Sequence, residues 1–196
     1  MQLDVIAVTW GQTHELGVLI NSMLCQTADN WRLWLVHDGP GTDTRDWCEQ
    51  HQLLSDPRVK WRDTIKRMND HGHSSRAWAI RNVLTGTHVV LTNGDNYYMP
   101  CWVQQISRLA DQDMITWDCV HNYDTPANHN NSSYGWMRTM PRLGHMDMGV
   151  AAVRTSLARQ VGFKDRHVAA DWSYFKRVLA TNPTRTHVDK IMMVHN

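Results

Sequence analysis

Short apolar runs alternate with stretches of helical period, and this alternation restricts the fold more than any other feature of the chain. Val5-Ile6-Ala7-Val8 is apolar throughout and stops at Thr9-Trp10-Gly11. Leu16, Leu19, Ile20, Met23 and Leu24 then recur at the i, i+3, i+4, i+7, i+8 spacing of an amphipathic helix begun near Thr13. Trp31 to Val36 forms a second apolar run, closed by His37-Asp38-Gly39-Pro40-Gly41. A helix over about Thr44–Leu54 follows, then a short strand at Val59-Lys60-Trp61. Ser74 or Ser75 can cap a helix that carries Ala77, Ile80 and Leu84; Gly86 ends it, and His88–Leu91 is the next strand. Strand–helix–strand alternation predicts an α/β fold, a single Rossmann-like domain with a mostly parallel central sheet flanked by helices.

The second half is less regular. Pro100 suits the first turn of a helix over Met99–Leu109. Met114–Val120 reads as a strand, Met148–Val153 as another, and Thr155–Val161 as a short helix ended by Gly162-Phe163. Asp171 is expected to cap a helix with Trp172, Phe175 and Leu179 on one face, and Ile191–Val194 to form a last strand. Residues 121–144 are polar, Asn-rich and aperiodic, a length of loop that in a compact domain carries function or is disordered. It contains Asn-x-Ser sequons at Asn130 and Asn131, and Tyr134 and Trp136, aromatic rings that can stack on a ring-shaped ligand.

Composition excludes several classes. At 196 residues the chain is one domain with room for a core. Lys+Arg number 20 against Asp+Glu 19, a balance that leaves no general nucleic-acid surface. No apolar run approaches the ~20 residues of a transmembrane segment. The opening MQLDVIAVTW has no basic region, and the cysteines (Cys25, Cys48, Cys101, Cys119) are widely spaced without C-x-x-C, so a reduced, cytoplasmic protein is expected.

In a parallel sheet, ligands bind beyond the carboxyl ends of the strands. Here those ends carry Thr9-Trp10, Asp38 and Asn93-Gly94-Asp95-Asn96. Asp95 reads either as a solvated loop carboxylate or as the ligand of a hard divalent cation, which often takes only one or two carboxylates plus substrate phosphates. Asp38 fits plain Asp-Gly turn chemistry, or accepts a ring N–H of a nucleobase. Asp171 serves as a helix cap, as a general base, or as both. Arg76 and Arg81 belong to a solvated helix face or neutralise a diphosphate. His195 is either a frayed terminal residue or, if the last strand pairs, an imidazole held in place for a metal.

Taken in order, several segments resemble glycosyltransferase family 2 of the GT-A fold. VIAVTWGQTHELGVLINSMLCQT resembles the family's first strand, Thr-aromatic turn and helix ending in Gln-Thr. NWRLWLVHDG resembles its second strand and Asp-Asp-Gly turn, with His37 in place of the first Asp. GHSSRAWAIRNVLTGTHVVLTNGDNYYMP resembles its arginine helix and Asp-x-Asp motif, with Asn93 where the first Asp stands. GVAAVRTSLARQVGF, AADWSYFKRVL and the terminal VHN resemble the later Gly-containing strand, the Glu-Asp-Trp segment (Ala170 replacing Glu) and the C-terminal His.

The resemblance implies a metal-dependent enzyme that moves a sugar from a nucleotide-sugar donor, UDP-sugar favoured, to a glycan or other hydroxyl acceptor with inversion. Residues 1–96 would form the nucleotide-binding half and 97–196 the acceptor-side half. Thr9, Trp10 and Asp38 would hold the base, Asn93 the ribose, and Arg76 the diphosphate, with Arg81 in reserve. Asp95 and His195 would bind the divalent cation, Mn2+ or Mg2+, and Asp171 would be the catalytic base. A nucleotidyltransferase, or a non-catalytic nucleotide- or sugar-binding module of the same fold, remains an alternative.

Overall fold

The computed structural model describes residues 1–121 and 134–195. The first half follows the expected alternation: β1 (Leu3–Thr9), α1 (Thr13–Leu24), β2 (Trp31–His37), α2 (Asp43–Gln50), β3 (Val59–Asp63), α3 (His73–Asn82) and β4 (His88–Asn93). The second half comprises β5 (Tyr97–Tyr98), α4 (Trp102–Ser107), β6 (Met114–His121), β7 (Gly135–Met137), a 3-10 turn (Met148–Val150), β8 (Ala151–Arg154), α5 (Thr155–Val161), α6 (Ala170–Ala180) and β9 (Arg185–His195). Among the described residues these strands make one sheet in the order β3-β2-β1-β4-β8-β6-β9-β5, with β7 beside β6. β3, β2, β1 and β4 are mutually parallel, β8 is antiparallel to β4 and β6, and β9 runs parallel to β6.

β1 is buried at every position because it has a strand on each edge and helices on both faces. Its alternate side chains feed two core layers. Leu3, Val5 and Ala7 pack with Leu16, Leu19 and Met23 of α1; Ile6 packs with Ile80 of α3 and Phe175 of α6. Each buried Leu, Ile, Val, Met or Phe here contributes roughly 1.5–3 kcal/mol. Asp4 is fully buried in the same strand, where its Oδ2 accepts the Thr85 and Gly86 N–H groups at 2.6 Å each and its Oδ1 lies 3.3 Å from Arg32 Nε. That pairing fastens the α3–β4 connection under β1.

Several boundaries differ from the sequence reading, each for a local reason. α2 stops at Gln50, not near Leu54, because Gln52 takes a left-handed φ of 58°. α4 begins at Trp102, not Met99: the Met99 N–H donates to Met192 O and Pro100 O accepts from Thr27 N, so both are committed elsewhere. The expected strand at Met148–Val153 is split by the 3-10 turn, whose Gly149 N–H is accepted by the Asp147 side chain at 2.8 Å. Ala169, not Asp171, caps α6; Asp171 sits in the first turn. α3 is capped by Gly72 at φ 76°, and the Ser74 N–H and hydroxyl donate to Asp70. β9 begins six residues before the expected Ile191, along a polar segment with no apolar run to betray it. Within the expected 121–144 loop, Gly135–Met137 is a strand, while 122–133, with Asn130 and Asn131, lie outside the described residues.

Candidate functional site

β1 is flanked by β2 on one side and β4 on the other, so the chain reverses its direction of winding at β1. The crevice beyond such a switch point is where open α/β sheets bind ligands. The register brings Val8 beside Asn93 and Thr9 beside His37, which aligns the three polar strand ends. Gly94 donates to Val8 O at 2.9 Å, and a Cβ there would sit 3.0 Å from the Thr9 Cβ and hydroxyl, so glycine lets the Asn93–Asp95 turn close onto β1.

A cavity of about 410 Å³ opens at this edge, lined by Thr9, Trp10, Asp38, Asn93 and Asp95, all expected site residues. Arg67, Asn69 and His71 complete its far wall, and sequence reasoning missed all three. They belong to the loop before α3, whose backbone needs positive φ at Asn69 (52°), His71 (56°) and Gly72 (76°). The cluster Met68-Asn69-Asp70-His71-Gly72 was the available signal, since Asn, Asp, His and Gly tolerate that conformation best. Asp38 holds this loop: its Oδ1 accepts Met68 N–H and its Oδ2 accepts Asn69 N–H, both at 2.9 Å. Each carboxylate oxygen has a second lone pair, so the scaffold role leaves room for a base contact. Trp10 stacks on His37, centroids 5.0 Å apart, and the Arg67 guanidinium lies 3.8 Å from the Trp10 ring centroid.

A second cavity, about 200 Å³, adjoins the first through Asn93 and His71 and contains Arg76 and Asp171. Arg76 is buried; its Nη1 donates to His71 O at 2.9 Å and its Nη2 to Asn93 Oδ1. Burial pulls the Arg76 guanidinium below its ordinary value, and Asp171, Asp147, Asp70 and Asp95 push back. Arg81, the reserve candidate, is exposed at the far end of α3 and lines neither cavity.

Burial also drives the carboxylates. The Asp171 carboxyl is raised above its usual range by burial first, with Arg76 and His195 opposing and Asp147 adding to the rise. Asp95 is raised for the same first reason, offset by His195, by backbone and Gln12 hydrogen bonds, and increased by Asp147. Gln12 Nε2 donates to Asp95 Oδ2 at 3.2 Å, while Asp95 Oδ1 is buried and accepts no hydrogen bond.

Asp147 is the main omission of the sequence reading. It is buried, and its Oδ2 lies 3.6 Å from His195 Nε2. Its field acts on Asp95, Asp171 and Arg76 alike. The sequence signal was a lone carboxylate between Met146 and Met148, inside an otherwise apolar approach to a strand. His195 is held because β9 pairs along its length with β6, placing His195 opposite His121.

Asp95, Asp147 and His195 offer two carboxylates and an imidazole, a donor set suited to manganese. They do not form a closed cage, which matches a cation completed by substrate phosphates. The orphaned Asp95 Oδ1 is the observation that fits a cation best. No described helix is long and apolar enough to cross a membrane.

Comparison with curated proteins returns no match. Among solved structures, the fold is shared with S. aureus TarS 1–349 in complex with UDP-GlcNAc (TM-score 0.78, 15% identity, 100% of this chain and 59% of that one). It is shared also with the mannosyltransferase PcManGT from Pyrobaculum calidifontis, solved with GDP-Man and Mn2+ (TM-score 0.69, 16% identity, 98% and 56%). GalNAc-T7 with UDP, GalNAc and Mn2+ is a third (TM-score 0.71, 12% identity, 99% and 43%). The chain thus spans about 60% of the length of TarS 1–349. The family description "Glycosyl transferase family 2" matches residues 4–165, and with this sheet and these strand ends the chain belongs to glycosyltransferase family 2.

Proposed function

We propose that the protein transfers a sugar from a nucleoside-diphosphate sugar, UDP-sugar favoured, to a hydroxyl of a glycan or other acceptor, with a divalent cation and with inversion. The observation that carries this reading is the joining of two cavities through Asn93, one walled by Asp95 and Trp10 and the other by Arg76 and Asp171. A donor lying across both would place its base at Trp10 and Asp38 and its ribose at Asn93. Solved structures of the same fold hold UDP-GlcNAc or GDP-Man, and two of them Mn2+, which supports the donor class and the metal. In this reading residues 1–96 hold the nucleotide and 97–196 serve the acceptor, while Asp147, Asp171 and His195 reach back to the shared site.

Asp95, with His195 and Asp147 behind it, would hold Mn2+ or Mg2+. A bound divalent cation would neutralise the diphosphate as negative charge develops on the leaving group. Arg76, kept as a buried cation by surrounding carboxylates, supplies further positive charge beside Asn93. Asp171 takes the proton from the acceptor hydroxyl. That oxygen forms a bond to the anomeric carbon from the face opposite the diphosphate, and the bond to the diphosphate oxygen breaks, its electron pair leaving with the nucleoside diphosphate. General-base assistance of this kind contributes roughly 10²–10⁴ in rate.

The test is a donor screen with Mn2+, reading release of nucleoside diphosphate from UDP-, GDP- and dTDP-sugars against an acceptor panel. Turnover of a UDP-sugar is expected. Tight binding of UDP without turnover of any donor would reduce the protein to a binding module. Release of pyrophosphate from nucleoside triphosphates would point to nucleotidyl transfer instead.

A further inference from the structure

We infer that the protein has a second, separate metal site, a divalent transition-metal centre formed by Asp118, His187 and Asp189 where β9 bulges against β6. The candidate ligand atoms of these three side chains all lie within 4.8 Å of one another, and they form the only such three-residue group among the described residues. None of them lines the two cavities assigned to the donor and acceptor.

The strand geometry explains how the group arises. Thr116 and Asp118 are two apart on β6, the spacing that puts side chains on one face of a strand, and His187 and Asp189 are two apart on β9. Thr116 stands opposite His187 in register. Trp117 then pairs Val188 but Asp118 pairs Ile191, so Asp189 and Lys190 are extra residues without partners on β6. A bulge of this kind bends its strand and re-aims side chains. Here it carries the exposed Asp189 beside the buried Asp118.

The hydrogen bonds around the cluster orient the ligands without consuming them. Thr116 Oγ1 lies 3.0 Å from His187 Nδ1, which occupies that ring nitrogen and leaves Nε2 as the free one. Nε2 is buried, makes no hydrogen bond, and faces Asp118 Oδ1 at 3.3 Å. Asp118 is fixed from behind: Thr139 N–H donates to Oδ1 at 2.8 Å and Trp136 Nε1–H to Oδ2 at 3.2 Å. A histidine tied through its other ring nitrogen and a carboxylate tied by backbone and indole donors are how metal ligands are held. An unprotonated Nε2 and a carboxylate oxygen at 3.3 Å repel unless a proton or a cation lies between them. One imidazolium proton would balance only one of the two carboxylates, whereas a divalent ion balances both. Tetrahedral binding by one nitrogen and two oxygens at about 2.0–2.2 Å requires the donor atoms to draw closer than their present spread of up to 4.8 Å, a movement that falls to the exposed Asp189. Imidazole with carboxylates suits zinc or a neighbouring first-row ion rather than calcium.

Such an ion would cross-link β9 to β6 and to the Trp136–Thr139 segment. It would brace the strand that ends at His195 from outside the catalytic cavity.

Equilibrium dialysis of the purified chain against micromolar free Zn2+, without nucleotide, tests the site by metal analysis. The wild type should retain one equivalent more than either Asp189→Asn or His187→Ala, and Asp95→Asn should keep that equivalent. Substituting Co2+ should give visible absorption that Asp189→Asn removes. Equal zinc stoichiometry in the wild type and Asp189→Asn would overturn the site and leave His187 and Asp118 as a simple ion pair. Asp189 is exposed, so this variant decides the matter even if His187→Ala disturbs folding, which circular dichroism would report.

Discussion

His195 Nε2 lies 3.6 Å from Asp147 Oδ2, joining the end of the last strand to the turn before β8. These two residues are nearly fifty positions apart, yet both act electrostatically on Asp95 and Asp171. Asp147→Asn should therefore weaken Mn2+-dependent UDP binding by about 10–100-fold, the usual consequence of losing a partner that orients a metal ligand. Asp147 also raises the Asp95 and Asp171 carboxyls, so the acid limb of the transfer rate should move to lower pH in the variant. An unmoved limb with unchanged Mn2+ dependence would remove Asp147 from the site.

Asp171→Asn separates catalysis from stability. Losing a general base should reduce transfer by about two or more powers of ten. The Asp171 carboxyl is raised in the folded protein above its ordinary 3.8, so the native state binds the proton more tightly than the unfolded chain. Its contribution to stability is fully present below that value and is lost as pH rises through the higher folded value. At pH 8 the charged side chain is thus a net liability, and the asparagine variant should melt at the same or a higher temperature. Near-normal transfer by the variant, or a clear drop in its melting temperature at pH 8, would count against these roles.

In the proposed function a nucleobase stacks on Trp10 by displacing the Arg67 guanidinium, which lies 3.8 Å from the ring centroid while His37 stacks on the same indole. Stacking of a base on an aromatic side chain is worth about 1–3 kcal/mol, so Trp10→Ala should weaken UDP binding by roughly 5–150-fold. Calorimetry with Mn2+ present measures this directly, and unchanged affinity would place the base elsewhere.

Asp38 has a scaffold task and, in the proposed function, a binding one. It holds the Met68 and Asn69 N–H groups, and leaving such donors unpaired costs about 1–3 kcal/mol. Asp38→Ala should lower the melting temperature accordingly and also weaken donor binding. As an acceptor for a ring N–H it should favour uridine, thymidine or guanosine diphosphates over ADP. Tighter binding of ADP than of UDP by the wild type would contradict that selection.

The sheet and its order of elements were legible because buried parallel strands are written as unbroken apolar runs, as in Val5–Val8 and Val89–Leu91. The strand-end residues were legible for the same reason, since Thr9, Asp38 and Asn93 interrupt those runs. Residues whose place depends on long-range pairing were not. Arg185–Val188 forms strand only because β6 lies beside it, and its mostly polar sequence carries no local sign of that. Asp147 gave one weak sign, a charge among methionines, and its neighbours in space come from β4, α6 and β9. Arg67 and Asn69 depend on a loop held by Asp38 from another strand, a contact that periodicity does not encode.

In the proposed function Asp95 holds a divalent cation against the diphosphate of the donor. Titration of UDP into the wild type and Asp95→Asn, each with Mn2+ and with chelator, measures that role. UDP binding should depend on Mn2+ in the wild type and lose that dependence in Asp95→Asn, with a smaller loss in His195→Ala. UDP affinity that is the same with and without Mn2+, and the same in Asp95→Asn, would contradict it.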